Sequence, residues 1–467
     1  MTMHLQFDAP SRNRTITYFP KFMSDNRPKF ASKFGVIAAT VGSAVGLGNI
    51  WRYPYEAGAN GGGVFVLVNI LCVLLIGIPV VCSEFVIGKA GRNNIFGAMQ
   101  KLAPRGGHYW RYVGFCGLTC TLLILAFYSV VAGWTLEYLF QSVTGRLTSV
   151  SSVDSHQVFG SFTSGWRCVF WTVVLMAINT CIALRGVRKG IEKASNVMMP
   201  VLFVLLLIMG VNSLLLPGAR EGLEFLFRPD WSKATPSMFL SALGQAFFSL
   251  SIGMGTLVVY GSYFPDNVKI VKSASIMAVL DTLVAVMAAA IIFPAVFSFG
   301  MEPAAGPRLV FEVFPDIFRM MQLGAVWSTM FFLLLLIAAL TSTLSLSESG
   351  ISFCVDQWKM SRRRATLLTM GVITSLAVVC AMSFGVLSDF KIFGFTVFDL
   401  FDFVTSNILM PFGGMLVSIF VGWVIRRATV NRELRPAPRI LCGLIIFSLR
   451  WLSPLAILAI FINNLIG

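Results

Sequence analysis

About eleven runs of mostly apolar residues, each long enough to cross a bilayer, dominate this chain. They lie at roughly 34–58, 64–88, 109–141, 166–184, 190–216, 237–264, 270–300, 323–356, 365–387, 395–425 and 440–465. A spanning helix needs about 20 apolar residues, and in lipid a helix satisfies its own backbone polar groups. The reading is therefore an all-α polytopic membrane protein. Composition agrees: of 467 residues, 56% are hydrophobic and only 12% charged, more apolar surface than a soluble fold hides.

The net charge of +15 invites a nucleic-acid reading, but the basic residues form short clusters in alternate linkers. Such clusters precede run one (Arg27, Lys29, Lys33) and follow run two (Lys89, Arg92, Lys101, Arg105) and run four (Arg185, Arg188, Lys189, Lys193). Others follow run six (Lys269, Lys272), run eight (Lys359, Arg362, Arg363, Arg364) and run ten (Arg426, Arg427, Arg432, Arg435, Arg439). That alternation places these linkers and the N-terminus in the cytoplasm of a multi-pass cell-membrane protein, with the C-terminus outside and no nucleic-acid partner. Residues 1–30 lack an early apolar run, so no cleavable signal peptide is expected. Nine cysteines occur singly without a CxxC, and three histidines lie outside the apolar runs, which gives neither a zinc site nor a disulfide framework. No nucleophile–base pair stands within the runs, so an enzyme is not expected.

Within run one, residues 40–63 read TVGSAVGLGNIWRYPYEAGANGGG. Gly42, Gly46 and Gly48 disfavour a continuous helix, and unwound backbone at membrane depth is tolerated only where protein or a cavity satisfies it. Run six carries a second interruption, Gly253-Met254-Gly255, five runs after Gly46-Leu47-Gly48. Paired broken helices in corresponding positions of two halves point to an inverted-repeat transporter with its site at the midplane: half-helix N-termini there face anions, and freed carbonyls face cations. Two further polar features stand out, the hydroxyl-rich Ala338–Ser345 and the intramembrane Asp281. Hydroxyls in membrane helices also bond back to their own helix, and Asp281 could sit at a helix end near water. Taken together, Asn49, Ser249, Asp281, Thr341 and Ser342 are hard oxygen donors that suit a group I cation.

From about residue 27 to the end the chain resembles the neurotransmitter:sodium symporters, bacterial amino-acid branch. The resemblance is carried by Ser-Ala-Val-Gly-Leu-Gly-Asn-Ile-Trp-Arg-Tyr-Pro (43–54), Asn60-Gly61-Gly62-Gly63 and Gln245–Gly255. It implies the leucine-transporter fold: a cytoplasmic segment 1–33, a first five-helix repeat 34–216, an inverted repeat 217–425, and an eleventh helix within 426–467. It also implies two sodium sites. The first takes the Ala44 carbonyl, the side chains of Asn49, Ser249 and Asp281, and the substrate carboxylate. The second takes carbonyls of Gly42, Val45 and Ala338 with the hydroxyls of Thr341 and Ser342. The substrate carboxylate would meet the amides of Leu47 and Gly48 and the hydroxyl of Tyr128. The ammonium would meet carbonyls of runs one and six and Ser251; Ala44, Ser249 and Ser342 lie in the same site. Ile124, Phe248, Met254 and Leu346 would enclose the side chain, although each reads equally as ordinary core.

The resemblance also bears on substrate and gating. Monoamine members carry an aspartate where this chain has Gly46, which leaves room and charge balance for an α-amino acid. Gly253-Met254-Gly255 replaces a bulkier Gly-Phe-Gly and is similar to members that accept hydrophobic amino acids up to tryptophan. Chloride-dependent members have Asn at the Asp281 position, so chloride is not expected to be required. Arg52 with Asp402 (or Asp399) would form an outer latch, with Glu56 competing at i+4, and Arg27 with Asp356 an inner gate. Phe30 stands where relatives usually have Trp. Gly190 and Pro200 match a Gly-x9-Pro motif tied to unwinding near the second sodium site. The reading is sodium-coupled uptake of hydrophobic or aromatic L-amino acids. Two alternatives stay open, a transporter of glycine, proline or GABA and a transport-silent amino-acid sensor, as does a monomeric or dimeric state.

Overall fold

The computed structural model describes residues 27–149, 155–300 and 309–466. The expectation for the first 26 residues lies outside these. Among the described residues there is no strand, only helices and their connections. In chain order the principal helices are α1 (Lys33–Ala44), α2 (Gly48–Ala59), α3 (Gly63–Gly91), α4 (Trp110–Val143), α5 (Trp166–Leu184) and α6 (Val187–Leu214). Then come α7 (Pro236–Ser249), α8 (Thr256–Ser262), α9 (Ile270–Ser298), α10 (Gly324–Gln357), α11 (Arg362–Met382), α12 (Val397–Val424) and α13 (Arg439–Asn463).

Nine of these helices are individually long and apolar enough to cross a membrane, and α1 with α2, bent by 53°, make a tenth span. The eleventh expected span is α7 plus α8, whose halves are too short and too far unwound at residues 250–255 to pass as one helix. The expected run 365–387 also ends early, because α11 stops at Met382.

Local chemistry explains the ends nearest the site. Ser32 caps α1, its hydroxyl accepting the Gly35 N–H at 2.8 Å, and Thr235 caps α7 ahead of Pro236. Two long helices, α10 and α4, form the scaffold: 78% and 72% of their apolar windows are buried, against 33% for α5, α6 and α13, which present most of their surface to lipid. Small residues let neighbouring helices touch. A methyl on Gly88 would lie 2.0 Å from the Val258 carbonyl oxygen, so α3 and α8 meet backbone to backbone. At one end of the bundle, rings of Trp134, Phe159, Phe311, Phe384 and Phe398 stack edge and face, seating the segment that begins at Leu309 over the bundle.

Candidate functional site

Both interruptions lie at the same depth. Helix α1 ends as Val45 turns extended (φ −63°, ψ 114°), and α2 opens with a π-helical turn at Gly48–Arg52. Between α7 and α8, Ser251, Gly253 and Gly255 adopt positive φ of 55°, 86° and 81°. A side chain at Gly253 would also run into the Met410 carbonyl oxygen at 2.3 Å, so two separate constraints fix glycine there. Ser251 tolerates the same region without being glycine, and its hydroxyl donates to the Ser43 carbonyl at 3.1 Å, tying one break to the other.

Asn49, Ser249 and Asp281 converge at these breaks, all buried. The Asn49 amide nitrogen donates to Ser249 Oγ (2.9 Å), Asp281 Oδ1 (2.8 Å) and the Asp281 carbonyl (3.1 Å), and Ser249 Oγ donates to Asp281 Oδ2 at 2.5 Å. The Asn49 side-chain oxygen, expected to face a cation, instead accepts the Gly46 N–H at 3.0 Å. The nitrogen thus occupies a ring of oxygen acceptors, the donor set a small hard cation takes once the amide turns over. A carboxylate there has no basic partner among the described residues, which a cation would supply.

The second oxygen set lies where α1 crosses α10. Ser342 Oγ donates to the Val45 carbonyl at 3.1 Å, and Thr341 Oγ1 bonds the Ala338 carbonyl at 3.0 Å and that of Ile337 at 3.1 Å. Gly42 makes the crossing close: a methyl there would sit 3.2 Å from Thr341 Cβ. Both readings of the hydroxyl-rich stretch therefore hold, since Thr341 bonds back to its own helix and Ser342 reaches across to another.

Between the two sets lies a small cavity of about 30 Å³ bounded by Ala44, Gly46, Gly48, Ile124, Tyr128, Phe248, Ser249, Ser251, Met254, Ser342 and Leu346. Leu47 adjoins it, its N–H donating to the Tyr128 hydroxyl at 2.8 Å. A methyl on Gly46 would lie 2.6 Å from Ser342 Oγ and 2.8 Å from Tyr128 Oη, so any side chain at this position fills the cavity. A wider vestibule of about 270 Å³ lies above, bordered by Arg52, Phe127, Asp402 and Phe398. Gly48, Tyr128 and Phe248 belong to both walls, which makes the Phe248 ring the partition between them.

The residues expected to act as gates differ in their contacts. Arg27 reaches Asp356 at 2.6 Å, donates to Ser262 Oγ at 2.9 Å and stacks over Tyr263 at 4.9 Å. Phe30 is buried edge-on against Tyr260 and Tyr263. Outside, Arg52 is not joined to Asp402. It lies 3.5 Å from Glu56 and 4.5 Å over the Phe248 ring, while Asp402 accepts from Ser406 at 2.9 Å and Asp399 from Thr396 at 2.7 Å. Gly190 falls within a π-helical turn (Val187–Glu192) that opens α6, ten positions before the mid-helix Pro200.

Four supporting residues escaped sequence reasoning. Gln245 donates to the Gly48 carbonyl at 3.1 Å, Thr121 to the Met254 carbonyl at 2.6 Å, and Glu84 accepts the Gly253 N–H at 2.7 Å. Glu192 accepts the N–H groups of Ala31 (2.9 Å) and Ser32 (3.2 Å) at the mouth of α1. Gln245 and Glu84 carried a signal, a polar residue within an apolar run, whereas Glu192 lay hidden in the basic cluster Arg188–Lys193. Thr121 carried none.

Comparison with known proteins fits this geometry. Residues 27–163 and 163–467 match the sodium:neurotransmitter symporter family. The chain is 39% identical to the sodium-dependent transporter YhdH of Bacillus subtilis (strain 168), described as uncharacterized, over 95% of this chain and 99% of that one. It is 26% identical to the sodium- and chloride-dependent creatine transporter 1 of Mus musculus, covering 85% of this chain and 70% of that one. Among solved structures it is similar to MhsT in complex with L-phenylalanine: 42% identity, TM-score 0.87, 94% of this chain and all of that one. Its helices form a multi-pass membrane transporter rather than an enzyme, and the chain belongs to the sodium:neurotransmitter symporter family.

Proposed function

We propose that this sodium-dependent symporter carries hydrophobic and aromatic L-amino acids into the cell with two sodium ions, and without chloride. The observation that carries the reading is the cavity itself: backbone polar groups and hydroxyls at one end, Ile124, Phe248, Met254 and Leu346 at the other, and glycine at position 46. A zwitterion fits this polarity. Its carboxylate meets the start of α2 beside Tyr128, where the helix dipole favours an anion, and its ammonium meets the carbonyls freed at the two breaks. The cavity as it stands is small, but the thioether of Met254 is flanked by two glycines, and the Phe248 partition gives onto the vestibule. That MhsT binds L-phenylalanine supports the same class of side chain.

Asn49, Ser249, Asp281 and Ala44 hold the first ion in this reading, sharing the substrate carboxylate; Gly42, Val45, Ala338, Thr341 and Ser342 hold the second. A shared ligand makes coupling reciprocal: each solute raises the other's affinity by the same factor. The Asp281 carboxylate beside the first ion supplies the negative charge that chloride would otherwise bring. Arg52 and Asp402 close over the loaded site, with Glu56 as the partner that Arg52 leaves. Release of the second ion frees α1 and the Arg27–Asp356 gate. Basic clusters in alternate linkers support a cytoplasmic N-terminus, and we retain 34–216 and 217–425 as the two repeats.

Binding of radiolabelled tryptophan to purified protein, competed by leucine, glycine and GABA, tests the substrate class. Displacement by leucine is expected. Displacement by glycine or GABA alone would overturn it in favour of a small-substrate transporter.

A further inference from the structure

We infer that an anionic glycerophospholipid docks in a cleft between the start of α1 and the start of α9, at the end of the bundle that carries the Arg27–Asp356 gate. The cleft has a volume of about 210 Å³; Lys33, Lys269 and Lys272 stand at its rim, and Val36, Ile37 and Ile276 line its floor. The three lysines are exposed, and among the described residues no carboxylate pairs with any of them. The nearest acid in sequence, Asp266, is already engaged by Lys29 at 3.1 Å and by Arg92. Hydrogen bonding from Lys29, then Arg92 and the other nearby cations, holds the Asp266 carboxyl below the usual carboxylate range, so it stays ionised and committed to them. The rim is therefore a positive cluster that no carboxylate pairs among the described residues, since Glu192 at the start of α1 is held by the N–H groups of Ala31 and Ser32.

The surface beyond the rim says which anion. Lys272, Ile276, Val279 and Leu283 recur at helical spacing along one face of α9, and Val279 and Leu283 are 57% and 45% exposed. On the facing element Phe34 is 55% exposed beside Lys33. A headgroup phosphate at the lysines would thus lead an acyl chain onto an apolar track running toward the bilayer centre. A soluble phosphate would use the rim and leave the track bare. Basic pockets between helices at the cytoplasmic surface take anionic headgroups in this way. The occupant would bridge α1, the half-helix that must move when the inner gate opens, to α9, which carries Asp281. This function rests on the gating reading above, whereas the site itself does not.

Native mass spectrometry tests the site directly, using protein from bilayers that contain phosphatidylglycerol and phosphatidylethanolamine. The wild type is expected to keep one phosphatidylglycerol at collision energies that strip phosphatidylethanolamine. The variant K33Q/K269Q/K272Q should keep it about 100-fold less, and K272Q alone about fivefold less. R363Q/R364Q, which removes two positive charges from the exposed basic cluster at the start of α11, should behave as the wild type, and glycerol phosphate should not displace the lipid. Equal retention by the triple variant, equal loss in R363Q/R364Q, or displacement by glycerol phosphate would each overturn the proposal. Tryptophan binding by the same samples reports whether each variant is folded, so failure of the lipid site reads separately from failure of the transport reading.

Discussion

The two arginine–carboxylate sets proposed as gates are built from the same residue types and are held differently. At the inner gate Arg27 and Asp356 are only 9% and 16% exposed, and each is held by more than the other: Ser262 and Tyr263 grip Arg27, and Asn94 donates to Asp356 through its backbone at 2.8 Å. At the outer gate Arg52 is 35% exposed, holds Glu56 at 3.5 Å along its own helix, and leaves Asp402 to Ser406. A largely buried, multiply bonded pair is costly to break, whereas a half-buried i,i+4 pair held by one 3.5 Å contact contributes under about 1 kcal/mol and is easily exchanged. Under the gating proposed above, this arrangement is a state closed at Arg27–Asp356 and open at the vestibule, with the Phe248 ring between vestibule and cavity.

The largest effect should come from the cavity that both gates serve. Gly46→Asp places a carboxylate in occupied space and beside the expected substrate carboxylate, so amino-acid affinity should fall at least about 100-fold, roughly 2.7 kcal/mol, in equilibrium binding. Next is the inner gate. Asp356→Ala leaves Arg27 largely buried without its partner, at a cost of about 2–3 kcal/mol after allowance for its partial exposure. The population should move toward the inward-open state, read as faster thiol labelling of a cysteine introduced at Ser43. Equal labelling with and without the substitution would remove the inner gate from the account.

Asp281→Asn should convert binding from chloride-blind to chloride-responsive by several-fold, while chloride-blind binding in that variant would sink the charge-replacement argument. At the outer gate, Glu56→Gln frees Arg52 for Asp402 and should slow substrate dissociation a few-fold, under about 1 kcal/mol, an effect that Asp402→Asn in the same chain cancels. The smallest effect concerns Asp266. Its carboxyl is held below the usual range by Lys29 and Arg92, so the stability it contributes is full above about pH 4 and fades as pH falls through its lowered folded value. Asp266→Asn should therefore lower thermal stability slightly at pH 7, with the gap to wild type closing toward pH 3.

The contrast between the gates also marks how far the sequence could be read. Both helix breaks were legible because glycine at membrane depth has few other uses, and Asp281 because a lone intramembrane carboxylate is expensive. Part of the cavity wall lay in the same two stretches, but Ile124, Tyr128 and Leu346, on α4 and α10, came only from the family resemblance. What stayed hidden depends on contacts distant in sequence. Arg52 with Glu56 rather than Asp402 is a matter of conformational state, which no residue pattern encodes. The orientation of the Asn49 amide is set by the Gly46 N–H it meets. Glu84, Gln245 and Thr121, which fasten the unwound backbone of both breaks, come from helices whose facing is fixed only by packing. The eleventh span showed a third limit: apolar length announced a crossing at 237–264, yet the chain there is two half-helices and a loop.

The central claim is that the sodium sites and the cavity form one coupled machine, and uptake into sealed proteoliposomes tests it most directly. Purified protein would be reconstituted with potassium inside and labelled phenylalanine outside, in sodium or in choline. The account predicts accumulation above the external concentration in sodium, collapse of that accumulation when the sodium gradient is dissipated, and none in choline. Binding that needs sodium without any accumulation would leave an amino-acid sensor in place of a transporter, and accumulation that ignores sodium would contradict the coupled sites altogether.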